Sequence, residues 1–369
     1  MPELFERMRA VSSELALAQT LSDPLRLGQV YAYMGANFWD SGDFDRAIVS
    51  GQRALALATP LGHVGLQAQA HLTLGRVYYD AGDYARAVES LERNVATLQG
   101  ELLYERFGLN GSVAVDSRAW LSYCHAERGA FTEGLAMAAE GLRIAETVND
   151  PFSLINACYG VSVVSLRQGD VQRAIPMLER GMSLCQDWHL LLFLPSLAGA
   201  LGVAYALDGR IAAGLAVVEP GVEQGAARGR ARGLALVVAC LSEAYLLAGR
   251  WEDAHTRAAQ ACDLARQYQQ RGTQARALWL LGESTARQAS AGVEPATGHY
   301  RQALTLAEEL GMRPLQAHCH RSLGMLYAQT DQAEQARAEL STALGMYQAM
   351  EMTFWLPDAE AVLAQVNAR

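Results

Sequence analysis

Apolar residues recur along this chain at the spacing of a helix face, and the pattern then repeats itself. Leu72, Leu74, Val77 and Tyr78 lie on one such face, a break follows at Gly82-Asp83, and Ala87, Leu91, Val95 and Leu98 resume the stripe. This predicts two helices joined by a tight turn, with Gly ending the first in the left-handed conformation and Asp capping the second. The same order of events returns at Ser41-Gly42-Asp43, Gln168-Gly169-Asp170, Asp208-Gly209-Arg210 and Ala248-Gly249-Arg250. The small residue in the middle of each predicted first helix (Gly35, Gly75, Ser122, Ser162, Gly202, Ser242, Gly282, Gly324) recurs at intervals of 40, 47, 40, 40, 40, 40 and 42. A fixed period of that length predicts an all-α solenoid, in which each hairpin buries its apolar face only against its neighbours.

The irregularities carry their own expectations. The longer interval places extra residues in Gly100–Asp116, where Asn110-Gly111-Ser112 signals a turn. A loop on a rigid scaffold is a place for binding functions, and equally a place where length is tolerated. A smaller insertion, Ala289–Pro295, is read as structural. Ser13–Asp23 aligns at an offset of 40 with Arg53–His63, so residues 1–23 are expected to hold an orphan second helix, as in a fragment of a longer array. Eight repeats then occupy about 26–352, and 354–369, with Leu356–Val366 resembling another first helix, is expected to cap the single solenoid spanning 1–369.

The repeated residues resemble the tetratricopeptide repeat: Leu-Gly, Tyr three residues on, Gly in the turn, then Ala. Met34, Gly35, Phe38, Gly42, Ala47 and Ala54 form one copy, and Leu323, Gly324, Tyr327, Ala336 and Ala343 another; a further copy, Leu74, Gly75, Tyr78, Gly82 and Ala87, has Asn94 where Ala is usual. The resemblance implies a right-handed superhelix of hairpins. Three stretches, SGDFDRAIVSGQRALALA, ERFGLNGSVAVDSRAWLSYCHAERGAF and QALTLAEELGMRPLQAHCHRSLGMLY, look like the C-terminal arrays of bacterial multidomain regulators. That implies a sensing or regulatory arm, attached in such proteins to an AAA or signal-transducing ATPase, a class III adenylate cyclase or a transcriptional activator. The clamp of chaperone-binding members needs Lys and Asn where this chain has Ala32, Ala36 and Thr73, which disfavours that partner.

Composition narrows the chemistry. The formal net charge of −9 argues against a nucleic-acid partner. All 30 basic residues are arginine, so a P-loop lysine, a Schiff-base amine and the kinase strand lysine are excluded from this chain. The six cysteines are scattered through apolar runs without a CxxC pair, which suits free thiols in a reducing cytoplasm. The start is charged where a signal peptide would be apolar, and no stretch is long enough for a membrane span, so no membrane partner is expected. In His318-Cys319-His320 the imidazoles point apart on a helix and do not chelate one ion. Arg228, Arg230 and Arg232 form a short basic cluster, read as solvated. No catalytic, cofactor or metal residue is assigned.

Partner binding is expected in the groove lined by the first helices. Stepping from the small residues assigns Trp39, Asp40, Arg76, Tyr79, Asp80, Tyr123, Glu127, Tyr159, Arg167, Glu243, Trp279, Glu283, Arg287 and Arg321 to it. Aromatic and arginine side chains are typical hot spots. An apolar middle is expected from Val163, Leu166, Val203, Ala206, Leu207, Leu246 and Leu247. The expected function is a non-catalytic protein- or peptide-binding scaffold, with small-molecule sensing or homo-oligomerisation as alternatives. On this reading Arg76→Ala or Tyr79→Ala weakens binding and leaves helicity intact.

Overall fold

Each hairpin turn performs two tasks with adjacent residues. Gly42, Gly82 and Gly169 adopt φ of 82°, 83° and 95° and end their helices, and Asp43, Asp83 and Asp170 then accept hydrogen bonds from the backbone N–H of Arg46, Arg86 and Arg173. The computed structural model describes residues 23–227, 233–288 and 293–368. The segment expected to form the orphan helix, the basic cluster and the first part of the Ala289–Pro295 insertion lie outside them.

Eight helix hairpins follow one another. Their first helices are α1 (Pro24–Ser41), α3 (Val64–Ala81), α5 (Val113–Arg128), α7 (Pro151–Gln168), α9 (Leu194–Leu207), α11 (Leu234–Leu247), α13 (Arg271–Ala286) and α15 (Arg313–Gln329). Their second helices are α2 (Phe44–Ala58), α4 (Tyr84–Thr97), α6 (Phe131–Val148), α8 (Val171–Asp187), α10 (Ile211–Ala227), α12 (Trp251–Gln267), α14 (Val293–Leu310) and α16 (Ala333–Ala349). A further helix, α17 (Leu356–Asn367), packs on α15 and α16. No strand occurs among the described residues.

The small marker residues are the points of closest approach within a hairpin. A β-carbon on Gly75 would lie 2.5 Å from Leu91, and one on Gly282 2.5 Å from the Tyr300 ring. Where serine takes the place, its hydroxyl is satisfied: Ser242 donates across the hairpin to the Ala254 carbonyl at 2.7 Å, and Ser122 donates within its own helix to the Ala119 carbonyl at 2.7 Å. Asn94, which departs from the usual alanine, is buried and donates to the Ala68 carbonyl (2.9 Å) and to Ser117 Oγ (3.0 Å), tying neighbouring units together.

The superhelix completes one turn in five units and then stacks on itself. α13 touches α3, and α15 touches α5. The hairpin turns of the first four units receive the turns that follow the second helices of the last three. Tyr268 packs on Gly42, Leu310 on Gly82, Met350 on Gly129, and Phe354 and Trp355 on Gly169, where a β-carbon would sit 2.6 Å from that of Phe354. Phe131, Val164, Tyr347, Met350 and Met352 bury together in this seam. Nearest-neighbour logic alone does not contain such a contact. It joins residues more than 180 positions apart and converts an open groove into an interior.

Candidate functional site

The first helices converge on an interior cavity of about 180 Å³. The lower turn contributes Tyr79 and Asp80 of α3, Trp120, Tyr123 and Glu127 of α5, Tyr159, Val163, Leu166 and Arg167 of α7, and Leu197 and Val203 of α9. The upper turn contributes Glu243 of α11, Gln270, Arg276 and Trp279 at and along α13, His318 of α15, and Trp355.

One wall is an aromatic ladder. Tyr79 meets Trp120 at 5.3 Å between ring centroids, Trp120 meets Tyr123 at 5.2 Å, and Tyr123 meets Tyr159 at 5.7 Å, with edges against faces or nearly so. On the opposite wall His318 stacks on Trp279 (5.5 Å) and meets Trp355 edge-on (4.9 Å). Burial, with Arg321, Arg276 and Arg167 nearby, holds the His318 pKa well below its ordinary value, so the ring is neutral at physiological pH. Its Nδ1 lies 2.8 Å from the Tyr347 hydroxyl.

Charge inside the cavity is paired. Arg167 donates through Nε to Glu127 Oε1 at 2.9 Å, and both side chains are largely buried. Burial works against the Arg167 cation, but Glu127, Tyr79 and Glu243 outweigh it and raise its pKa. Arg276 Nη1 lies 3.7 Å from Glu243 Oε2, an ion pair too long for a hydrogen bond. Gln270 is buried with no hydrogen-bond partner for Oε1. Burial pushes the Cys240 thiol at the wall up to about 11, so it is protonated at neutral pH and a poor nucleophile. Among the described residues no group of three His, Cys, Asp or Glu side chains is placed to hold a metal ion. His320 of the His-Cys-His run is engaged with Glu339 at 2.5 Å, away from His318.

Of the positions expected in the groove, Tyr79, Asp80, Tyr123, Glu127, Tyr159, Arg167, Glu243 and Trp279 line the cavity. The others lie outside its lining. Trp39 is buried between units, donating Nε1 to Asp80 Oδ2 at 2.7 Å and meeting Trp120 edge-on, and Asp40 beside it is outside the lining. Arg76 reaches Asp116 at 2.6 Å and sits over the rings of Trp39 and Trp120, so it holds α3 to α5 and is outside the lining. Glu283 is buried and accepts from Ser322 (2.6 Å), Tyr300 (2.8 Å) and Arg287 (2.8 Å). Burial alone would raise its pKa, but Arg287, Arg321 and these hydrogen bonds bring it below the usual value. Arg287 is taken up by Glu283, and Arg321 lies over the Trp355 ring, 5.8 Å from its centroid. Of the expected apolar middle, Val163, Leu166, Val203 and Leu207 face the cavity, Ala206 and Leu246 are not in its lining, and Leu247 is exposed.

Trp120, Gln270, Arg276, His318 and Trp355 escaped sequence reasoning because the lining drifts along the first helices as the superhelix rises. In α3 it lies at the C-terminal end, and in α13 and α15 it lies toward the N-terminal end. A signal was present: Asn156, Ser196, Leu236, Arg276 and His318 all stand six residues before their small marker, and all line the cavity.

The longer inter-unit segment does not cover the cavity. Gly100–Tyr104 forms a 3₁₀ turn, Phe107 packs on Gly65, and Gln69 donates to the Phe107 carbonyl. Ser112 then caps α5, which begins at Val113, so Asp116 is helical and not part of the loop. The Asp116 carboxyl titrates at about 6, because burial raises it further than the adjacent Arg76 lowers it. A folded-state pKa above the unfolded one favours the fold below the unfolded value, and this advantage is lost as pH rises through about 6. The unfolding free energy of the wild type from urea titrations should therefore decline between pH 4 and 7, relative to that of Asp116→Asn, by on the order of 2 kcal/mol. Parallel pH profiles would contradict this.

Residues 26–99, the first two hairpins, match a tetratricopeptide-repeat family model. The fold is a tetratricopeptide-like array of helix hairpins. Its helix order matches a Rap protein complexed with competence and sporulation factor at a TM-score of 0.60 and 10% identity, covering 92% of this chain and 98% of that one. The Rap conjugation gene regulator of plasmid pLS20, in complex with the Phr* peptide, superposes at 0.61 with 12% identity, covering 96% of each chain. At such identities the likeness is one of fold. No curated protein matches the sequence. No described helix of the repeat array is long and apolar enough to cross a membrane.

Proposed function

We propose that this tetratricopeptide array is a non-catalytic scaffold that binds a short, extended peptide segment in its interior. The observation that carries the reading is the cavity itself: walls contributed by seven of the eight described hairpins and the segment before α17, aromatic in six of them, with internal ion pairs and an unpartnered Gln270 oxygen at its edge. An α-helical ligand is about 10 Å wide, too bulky for the space between two stacked turns. An extended peptide inserts single side chains between aromatic faces and supplies N–H groups to Gln270. The peptide complexes of Rap proteins, which share the fold, support this choice. The resemblance to arrays of bacterial regulators supports a cytoplasmic sensing arm, in which occupancy of the cavity biases the seam between turns and through it an attached effector. The net charge of −9 supports a partner other than nucleic acid.

The cavity volume of about 180 Å³ favours one alternative, a small molecule of side-chain size, since drug-like pockets run to roughly 300–1,000 Å³. Both readings use the same wall and are separated by one experiment. Immobilised protein is offered a pool of random short peptides and a metabolite pool, and retained compounds are identified by mass spectrometry. Peptides should be retained, and Tyr159→Ala should weaken them roughly tenfold or more with an unchanged melting curve. Peptides that bind Tyr159→Ala as well as wild type would remove the cavity as the site, and retention of metabolites alone would favour the small molecule.

A further inference from the structure

The seam inside the molecule has a simple rule. A turn that follows a second helix presents an apolar knob, and a hairpin-turn glycine presents the space that receives it. Tyr268, Leu310, Met350 and Phe354 are knobs, and Gly42, Gly82, Gly129 and Gly169 are their seats. In an array of antiparallel helix pairs all turns of one class emerge at one edge and all of the other class at the opposite edge. Among the described residues, the first turn of the superhelix therefore ends in a row of knobs with no turn beneath them, and the second turn ends in seats with no turn above them.

Both unfilled rows are present. At the knob edge Leu61, Tyr104, Leu109, Trp188 and Leu192 are exposed, Trp188 by 62% and Leu192 by 42%. All lie in segments that follow second helices, as the seated knobs lie at or just after the ends of theirs; of those, Met350 is buried, Tyr268 and Leu310 are half-buried, and Phe354 keeps part of its ring exposed. At the seat edge Gly209, with φ 82°, has nothing within 4 Å of the place a β-carbon would take, and Gly249 is approached only by Trp251, two residues away. Leu247, next to the Gly249 turn, is 40% exposed.

We propose that a second copy of this chain continues the stack, the knob edge of one molecule seating on the Gly209–Gly249 edge of the next. The occupant follows from continuity with the internal seam, because the two free edges are the two halves of a contact this fold already makes with itself. The contact is heterologous, so it does not close after two molecules and adds copies head to tail. It is separate from the cavity and does not depend on what the cavity binds.

Two double variants of the full chain test this. Trp188→Ser with Leu192→Ser removes knobs, and Gly209→Asn with Leu247→Glu fills the seats, asparagine being chosen because it tolerates positive φ. All four positions are exposed or face open space, so helicity should be unchanged by circular dichroism. In sedimentation velocity over a dilution series, wild type should grow in mass with concentration without stopping at a dimer. Each variant alone should remain a monomer. An equimolar mixture should form a dimer and go no further, since only one knob edge and one seat edge survive between the two. A wild type that stays monomeric throughout, growth that persists in both variants, or a mixture that fails to associate would each overturn the proposal.

Discussion

Replacing Arg167 with alanine is expected to destabilise the protein by about 3–5 kcal/mol, the cost typical of stranding one partner of a buried ion pair. Arg167 lies between Glu127, 2.9 Å away, and the aromatic ladder, with Glu243 also close enough to raise its pKa. Without the guanidinium, Glu127 is left as a charge 7% exposed beside Tyr79 and Tyr123. The measurement is a urea titration of Arg167→Ala, Glu127→Gln and the double variant. The double variant should recover much of the loss, because the penalty belongs to the abandoned charge and not to the missing bond. Strictly additive effects would show that the two side chains are not coupled.

Replacing Met350 with alanine should cost about 2–5 kcal/mol, the range for truncating a large buried apolar side chain. Met350 is 4% exposed and fills the seam between Phe131, Tyr347, Met352 and the Gly129 turn. The loss should be distributed unevenly, since repeat arrays open in parts. Hydrogen exchange should accelerate in the Gly129–Phe131 turn and in α15 to α17, and stay near wild type in α9 and α10, which lack this contact. Uniform acceleration over all hairpins would mean that the two turns unfold as one cooperative block.

These two residues divide what was legible from what was not. Nothing in the sequence pattern marks Met350 as the residue that the turn of a unit five repeats earlier receives. Arg167 was expected in the groove from its step along the helix and lies on the cavity wall, paired with Glu127, which was expected there too. Arg76, one residue after its small marker where Arg167 stands five after, was expected there too but reaches Asp116 instead, because the rise of the superhelix moves the inward face along each successive first helix. The tryptophan at 39 followed the rule and was buried; the one at 120 did not follow it and faces the cavity.

The sequence by itself determined the hairpins, their number, their turns and their order, because these rest on interactions within some forty residues: glycine ending a helix, aspartate capping the next, a small residue admitting its partner. Only the tertiary structure decided that the superhelix closes on itself. Closure depends on the sum of small rotations between units, and each rotation is set by packing of whole side chains, for which a periodic pattern is the same at many pitches. The cavity, its aromatic walls and the unfilled edges all follow from that sum.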